Sequence, residues 1–158
     1  MEIRPVKPAE FTVVADLCEA AYAPFLDGDH HYLATLRDIA GRAAAAEVLV
    51  AADAEAVLGT VTFVPEGGPL GEIAGPGEAE FRMMAVAPAA QGRGVGTALA
   101  QRVVDDSVAH GRDGIVCSSL PAMRGAHRIY ERLGFRRLPE RDWSPVPGVD
   151  LIAFARSV

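Results

Sequence analysis

The most constraining feature of the sequence is a strand, a glycine-rich loop and a helix in direct succession. Residues 81–86 form a largely apolar run, and Pro88 marks a turn after it. Glycines follow at 92, 94 and 96, and apolar residues then recur at helical spacing, at Val95, Leu99 and Val103. The first N–H groups of a helix lack partners within it, and glycines let a ligand approach them. The stretch therefore predicts a seat for an anion.

The loop lacks the residues that define two common phosphate-binding motifs. A nucleotide P-loop carries Lys and then Ser or Thr after its last glycine, whereas Gly96 is followed by Thr97 and Ala98. A dinucleotide fingerprint needs a third glycine three residues after the second, and Thr97 stands at that distance from Gly94. A nucleotide-phosphate enzyme is therefore disfavoured.

The pattern that is present, Gln91-x-x-Gly94-x-Gly96, resembles the acyl-CoA signature of the GNAT superfamily of N-acyltransferases. A second stretch, 126–135, resembles the other hallmark of that family, a helix ending in Tyr-Glu-x-Leu-Gly-Phe. The resemblance is sharp from about Glu80 to Phe135. It implies acetyl-CoA as cosubstrate and direct transfer of its acetyl group to a primary amine of a small molecule or peptide.

The order of predicted elements agrees with the topology that the resemblance implies over nearly the whole chain. Periodicity and turn residues predict four helices and about seven strands, including strands at about Glu78 to Ala87 and at 115–118. Residues 1–158 are predicted to form one domain of α/β class. The order of elements also gives a mixed central sheet, and the resemblance implies that this sheet splays between its fourth and fifth strands.

The resemblance also implies how acetyl-CoA is held. Loop amides would bind the pyrophosphate, and the main chain at the end of the fourth strand would pair with the pantetheine arm and polarise the thioester carbonyl. The predicted CoA-binding residues are Met84, Ala85, Val86, Gln91, Gly92, Arg93, Gly94, Val95, Gly96 and Thr97. Met123 stands where many members of the family carry an asparagine.

Two residues are candidates for catalysis. Tyr130 matches the family tyrosine that gives a proton to the departing thiolate, although helical periodicity alone favours a core position for it. Glu80 matches a carboxylate that deprotonates the amine through water in some members. Strand parity leaves two roles open for Glu80, because it shares a face with Arg82 and Met84 and could pair with Arg82 instead. Glu78 has the same parity and is the reserve candidate.

Other groups argue less strongly for chemistry. Cys117 could accept the acyl group first, but no histidine lies near it in sequence, and a buried structural thiol is the favoured interpretation. Asp27, Asp29, His30 and His31 are metal-ligand types without a second cluster to support them, so no metal is expected.

Composition limits the partners and the compartment. The net charge of −6 disfavours a nucleic-acid surface and is compatible with a cationic amine substrate. The sequence shows neither a signal peptide nor an apolar run of membrane-spanning length, so we expect a cytoplasmic protein with no membrane partner. An exposed closing strand at Val149 to Ala155 would allow a homodimer. The alternative function is a non-catalytic acyl-CoA-binding sensor or interaction module.

Overall fold

The computed structural model describes residues 1–26 and 31–158 and has an α/β fold. Its α-helices are α1 (Phe11–Tyr22), α2 (His31–Arg37), α3 (Ile39–Ala45), α4 (Val95–Ala109) and α5 (Arg124–Arg132). Its strands are β1 (Glu2–Pro5), β2 (Glu47–Ala52), β3 (Val57–Val64), β4 (Glu78–Val86), β5 (Gly114–Ser119), β6 (Arg136–Arg137), β7 (Trp143–Val146) and β8 (Val149–Ser157). No helix within these described ranges is long and apolar enough to cross a membrane.

The strands form a mixed sheet in the order β1-β2-β3-β4-β5-β8-β6, with β7 paired to β8. The β4–β5 pair is parallel, whereas the other pairs are antiparallel. One apolar cluster packs α4 and α5 against one face of the sheet, and a second cluster packs α1, α2 and α3 against the other. The predicted mixed sheet with helices on its faces is therefore confirmed.

Two local features differ from the predicted four helices and about seven strands. The described part of the chain has five α-helices, because Asp38 separates α2 from α3 and accepts a hydrogen bond from the Gly41 N–H as the N-cap of α3. The additional strand is β7, which tolerates Pro145 because β8 is the only described strand beside it.

The closing strand is not an exposed edge. β8 pairs with β5 along Gly114–Ser119 and with β6 at Phe154 and Ala155, so both of its edges carry ladder hydrogen bonds. The prediction that this strand is free to pair across a dimer is wrong, because the chain returns after α5 and adds β6 outside it. A homodimer stays a prediction, but it could not form by pairing of β8 with its copy.

The sheet opens between β4 and β5. These parallel strands pair only from Glu78 opposite Gly114 to Phe81 opposite Cys117. Beyond Phe81, β4 continues along β3 as far as Val86, while β5 continues along β8. The backbone of β4 from Arg82 onward consequently has no strand partner on its β5 side among the described residues.

A β-bulge in β4 accompanies this opening. Between the pairs Thr60–Ala85 and Thr62–Arg82, β3 advances two residues while β4 advances three. The extra residue gives Met83 a φ of 55°, which is rare for a side chain of this size. The bulge reverses the alternation of faces, so Met84 packs in the same cluster as Phe81, and Met83 in the opposite one. The predicted shared face of Glu80 and Met84 is therefore wrong.

Helix α4 lies unusually close to the sheet at Gly59 of β3. A Cβ atom placed there would be 2.8 Å from Val95 Cγ1 and 2.9 Å from the carbonyl oxygen of Ala85. Val95 begins α4, and Ala85 lies on the bulged end of β4. The absence of a side chain at Gly59 thus sets the distance between the start of α4 and the opened strand.

We expect Gly59→Ala to lower the free energy of unfolding by about 1–3 kcal/mol, because the Ala85 carbonyl is backbone and cannot turn away from the new methyl group. The urea midpoint measures this loss. Gly125→Ala is the matched control: a Cβ atom there meets nothing within 4 Å, and alanine in place of glycine in α5 should stabilise by up to about 1 kcal/mol. Equal midpoints for Gly59→Ala and the unaltered protein would contradict the steric argument.

Candidate active site

The glycine loop leads into the start of α4, where backbone amides have no hydrogen-bond partner within the helix. Gly92 and Gly94 have φ values of 78° and 77°, a conformation that glycine adopts without steric cost. Gly94 is the N-cap of α4, and no side chain caps the helix. Since the first hydrogen bond of α4 reaches only back from the Ala98 N–H to the Gly94 carbonyl, the amides of Val95, Gly96 and Thr97 have no intrahelical partner. The predicted glycine loop with an uncapped helix start is present, and anion binding there stays a prediction.

The residues that carry these amides line a cavity of about 920 Å³, whose wall also includes the end of β4 beyond its pairing with β5. All of the predicted CoA-binding residues except Arg93 line it. The Arg93 side chain instead approaches Asp53 in an ion pair with 3.6 Å between Nη2 and Oδ2. The loop and the end of β4, which are adjacent in the sequence, therefore meet at one cavity.

Other parts of the chain complete the cavity wall, and apart from Met123 the sequence analysis did not connect them with CoA binding. They are Ala21, Phe25, Ala90, Met123, Gly125, Ala126, Arg128, Ile129 and Arg132. The residues from 125 to 132 recur at three- and four-residue spacing, which is the signal of a single helical face. This spacing predicts that the residues share one face of a helix. It does not predict whether that face contacts a cavity, the core or solvent.

The main chain of β4 is fixed from the α1 side. The hydroxyl of Tyr22, at the end of α1, donates a buried hydrogen bond of 3.2 Å to the Met84 carbonyl oxygen. Since Met84 follows the bulge and lines the cavity, this bond holds the strand where β5 no longer pairs with it. The helical pattern predicts only that Tyr22 lies on a buried face.

Tyr130 lies at the centre of an aromatic cluster. Its ring centroid is 5.5 Å from those of Phe81 and Phe154 and 5.9 Å from that of Phe135, and the residue is 3% exposed. It is not in the cavity wall, but Ala126 and Ile129 on the same helix are. Burial raises the pKa of Tyr130 well above its ordinary range, so the phenol stays protonated at neutral pH. Its hydroxyl makes no hydrogen bond to any residue that the structure describes.

Glu80 is completely buried, and its carboxylate binds backbone amides of the loop that precedes β4. One carboxylate oxygen, Oε1, accepts N–H groups from Glu72, Ile73 and Ala74 at 2.9–3.0 Å. The other, Oε2, has no partner among the described residues. Burial raises the pKa of Glu80, and the three amides and Arg82 lower it by less.

The reserve carboxylate, Glu78, is engaged in the same loop. Its Oε1 accepts the Gly75 N–H at 2.7 Å and a charged hydrogen bond from Arg141 at 2.5 Å. Arg82 turns toward Trp143, with its guanidinium carbon 5.4 Å from the ring centroid, and makes a 3.8 Å ion pair with Glu72. Arg82 therefore does not form a close ion pair with Glu80.

The two cysteines are buried thiols. Cys117 is fully buried on β5, and desolvation raises its pKa well above the ordinary thiol value. Three of the four residues of metal-ligand type in the segment 27–31, namely Asp27, Asp29 and His30, lie outside the described residues. Within the ranges 1–26 and 31–158, no group of three or more His, Cys, Asp or Glu side chains is arranged to hold a metal ion.

Comparisons with known proteins agree with this geometry. A solved GCN5-related N-acetyltransferase from Kribbella flavida superposes with a TM-score of 0.68 at 26% identity, covering 99% of this chain and 97% of that one. A protein from Salmonella typhimurium, solved with its cofactor acetyl-CoA, shares the fold with a TM-score of 0.66 at 19% identity, covering 99% and 92%.

Sequence relatives match a shorter part of the chain. The N-acetylaspartate synthetase of Danio rerio is 33% identical over 70 residues, which is 44% of this chain and 25% of that protein. The chain thus matches about a quarter of the length of this curated relative. The sequence profile of the acetyltransferase (GNAT) family matches residues 12–135, which include the glycine loop, the opened strand and Tyr130. The chain therefore belongs to the GNAT acetyltransferase family.

Proposed function

We propose that the protein is an N-acetyltransferase that moves an acetyl group from acetyl-CoA directly to a primary amine of a small molecule or peptide. The observation that carries the proposal is the uncapped first turn of α4 opening into a cavity that is also lined by the end of β4, where β5 no longer pairs with it. Such a cavity suits a long cosubstrate with an anion at one end and a reactive group at the other.

The chain offers a distinct kind of contact to each part of acetyl-CoA, which supplies the acetyl thioester. Amides from Gly92 to Thr97 would hold the diphosphate, since helix N-termini bind anions through N–H groups. The β4 backbone from Met84 to Val86, which β5 does not pair, would hold the pantetheine arm and polarise the thioester carbonyl. Arg93 would act at most from outside the cavity wall.

Tyr130 is the proposed proton donor to the departing thiolate. Its raised pKa keeps the phenol proton in place until a strong base forms beside it. The hydroxyl has no partner in the described part of the chain and is therefore available to a ligand. The surrounding rings of Phe81, Phe135 and Phe154 fix the orientation of the phenol.

Glu80 is the proposed base, and the atom that would accept the proton is Oε2. Its Oε1 is occupied by loop amides, whereas Oε2 has no partner among the described residues. A pKa above the ordinary glutamate value improves a base that works near neutral pH. Because Glu80 does not line the cavity, the proton would reach it through water.

Direct transfer is proposed over a route through an acyl-cysteine. A thiol attacks as its thiolate, and burial holds the pKa of Cys117 well above the ordinary value.

The proposed acceptor is a primary amine, with no particular compound assigned. The curated relatives are named for making N-acetylaspartate, so amino acids are one class to test. The cytoplasmic location stays a prediction from the sequence.

The function is tested by following thiol release from acetyl-CoA across a panel of amino acids, polyamines and peptides, with products identified by mass spectrometry. An acetylated amine is expected. Tight CoA binding without product from any amine would favour the alternative, a non-catalytic acyl-CoA sensor.

Tyr130→Phe should lower kcat about 100-fold or more, because it removes only the hydroxyl that donates the proton. The dissociation constant for acetyl-CoA should change little, because the variant keeps the aromatic ring and loses a single hydroxyl. A thiol-release assay measures kcat, and calorimetry measures the dissociation constant for acetyl-CoA. An unchanged kcat would assign Tyr130 to the aromatic core alone.

Glu80→Gln separates the two roles of that carboxylate. The glutamine carbonyl can still accept the amides of residues 72–74, but the side chain can no longer take a proton. In the unaltered enzyme the rate should rise with pH through the raised pKa of Glu80, because the base must be ionised. The variant should lose that rise and about 100-fold in kcat/KM.

Glu80→Ala is the matched comparison, because it removes the base and the loop contact together. Hydrogen exchange at residues 72–74 should accelerate in the alanine variant and stay slow in the glutamine variant. A glutamine variant with the unaltered pH profile would leave Glu80 as a loop anchor only.

A further inference from the structure

The cavity wall contains charge of one sign only. Among the described residues that line it, Arg128 and Arg132 are the only charged ones, and the remainder are apolar or neutral polar residues. The chain as a whole carries a net charge of −6. A local excess of arginine in an acidic protein marks a site for an anion rather than a general property of its surface.

The two arginines belong to a row on α5. Arg124, Arg128 and Arg132 follow one another at four-residue spacing and therefore lie on one side of the helix. Like charges at this spacing destabilise a helix. None of the three makes an ion pair with the residues that the structure describes. The helix dipole favours a cation at Arg132, in the last turn, but it does not explain Arg128.

The row lies beside the amides of the glycine loop. A Cβ atom on Gly96, in the first turn of α4, would be 2.9 Å from Ile129 Cδ1 on α5. Arg128 adjoins Ile129 in sequence, and Arg132 lies one turn further along the helix. The cavity therefore brings two different anion-binding devices together, main-chain N–H groups and guanidinium groups.

These two devices suit different phosphates. The loop amides are neutral and fixed, which fits a diphosphate that must lie in a defined position. A guanidinium carries full charge and binds phosphate oxygens through two parallel N–H groups, which suits a phosphate monoester with a charge between −1 and −2 at neutral pH. Coenzyme A carries both, a diphosphate and a 3′-phosphate monoester on its ribose.

We propose that Arg128 and Arg132 bind the 3′-phosphate of coenzyme A and make the protein select coenzyme A over its dephosphorylated form. This selection rests on the proposed function, because it concerns the cosubstrate of the same cavity. The arginines act in binding and take no part in acetyl transfer.

The experiment compares acetyl-CoA with acetyl-dephospho-CoA, in both kcat/KM and calorimetric affinity. The unaltered protein should prefer acetyl-CoA roughly 10- to 100-fold, the range for one or two charged hydrogen bonds. Arg128→Gln combined with Arg132→Gln should bring the two cosubstrates close to equality. It should do so by weakening the binding of acetyl-CoA, while acetyl-dephospho-CoA binds about as it does to the unaltered protein.

Arg124→Gln is the matched control, since it removes the same charge from the same row at a residue outside the cavity wall. It should keep the full preference. The proposal is overturned if the unaltered protein shows no preference, if the double variant keeps it, or if Arg124→Gln removes it equally. It is also overturned if the double variant weakens both cosubstrates alike, which would place the arginines at the diphosphate.

Failure of the proposed function has a different signature. Selective binding of acetyl-CoA without turnover of any amine would support the arginine site while contradicting the transferase. Turnover with equal use of both cosubstrates would support the transferase and overturn the arginine site.

Discussion

The structure depends on the early separation of β4 from β5. Parallel pairing ends at Phe81 and Cys117, and β4 remains ordered beyond that point because β3 holds its other edge as far as Val86. The bulge at Met83 and the Tyr22 hydrogen bond to Met84 fix the separated segment. Unpaired main-chain groups are costly when buried, so a segment of this kind is stable only beside solvent or a ligand. The cavity is the direct consequence of the separation.

The two faces of the sheet then serve different purposes. On the α4 and α5 face, the cavity presents amides and two arginines, and an aromatic cluster holds Tyr130. On the other face, Glu80 is buried and binds three loop amides, and buried Arg42 donates a 2.8 Å hydrogen bond to Thr62. Burial of a charged group is unfavourable without such partners.

Sequence reasoning succeeded where function depends on a few consecutive residues. The glycine loop and the start of α4 were predicted because left-handed backbone and unpaired helix amides are local properties. It failed where a distant contact decides the outcome. Strand parity placed Met84 on the face of Glu80, and one inserted residue at the bulge reversed that placement. The wall supplied by α5 was missed because periodicity does not say what a helical face meets.

By itself, the sequence determined the family resemblance, the α/β fold and the glycine loop that starts α4, since each depends on short-range patterns of glycine, apolar residues and turns. Only the tertiary structure decided that Arg93 lies outside the cavity wall while Arg128 and Arg132 line it, and that β8 lies inside the sheet. It also decided that Glu80 has one occupied and one unpartnered oxygen. These facts depend on which distant segments pack together, and packing between segments leaves no periodic trace in the chain.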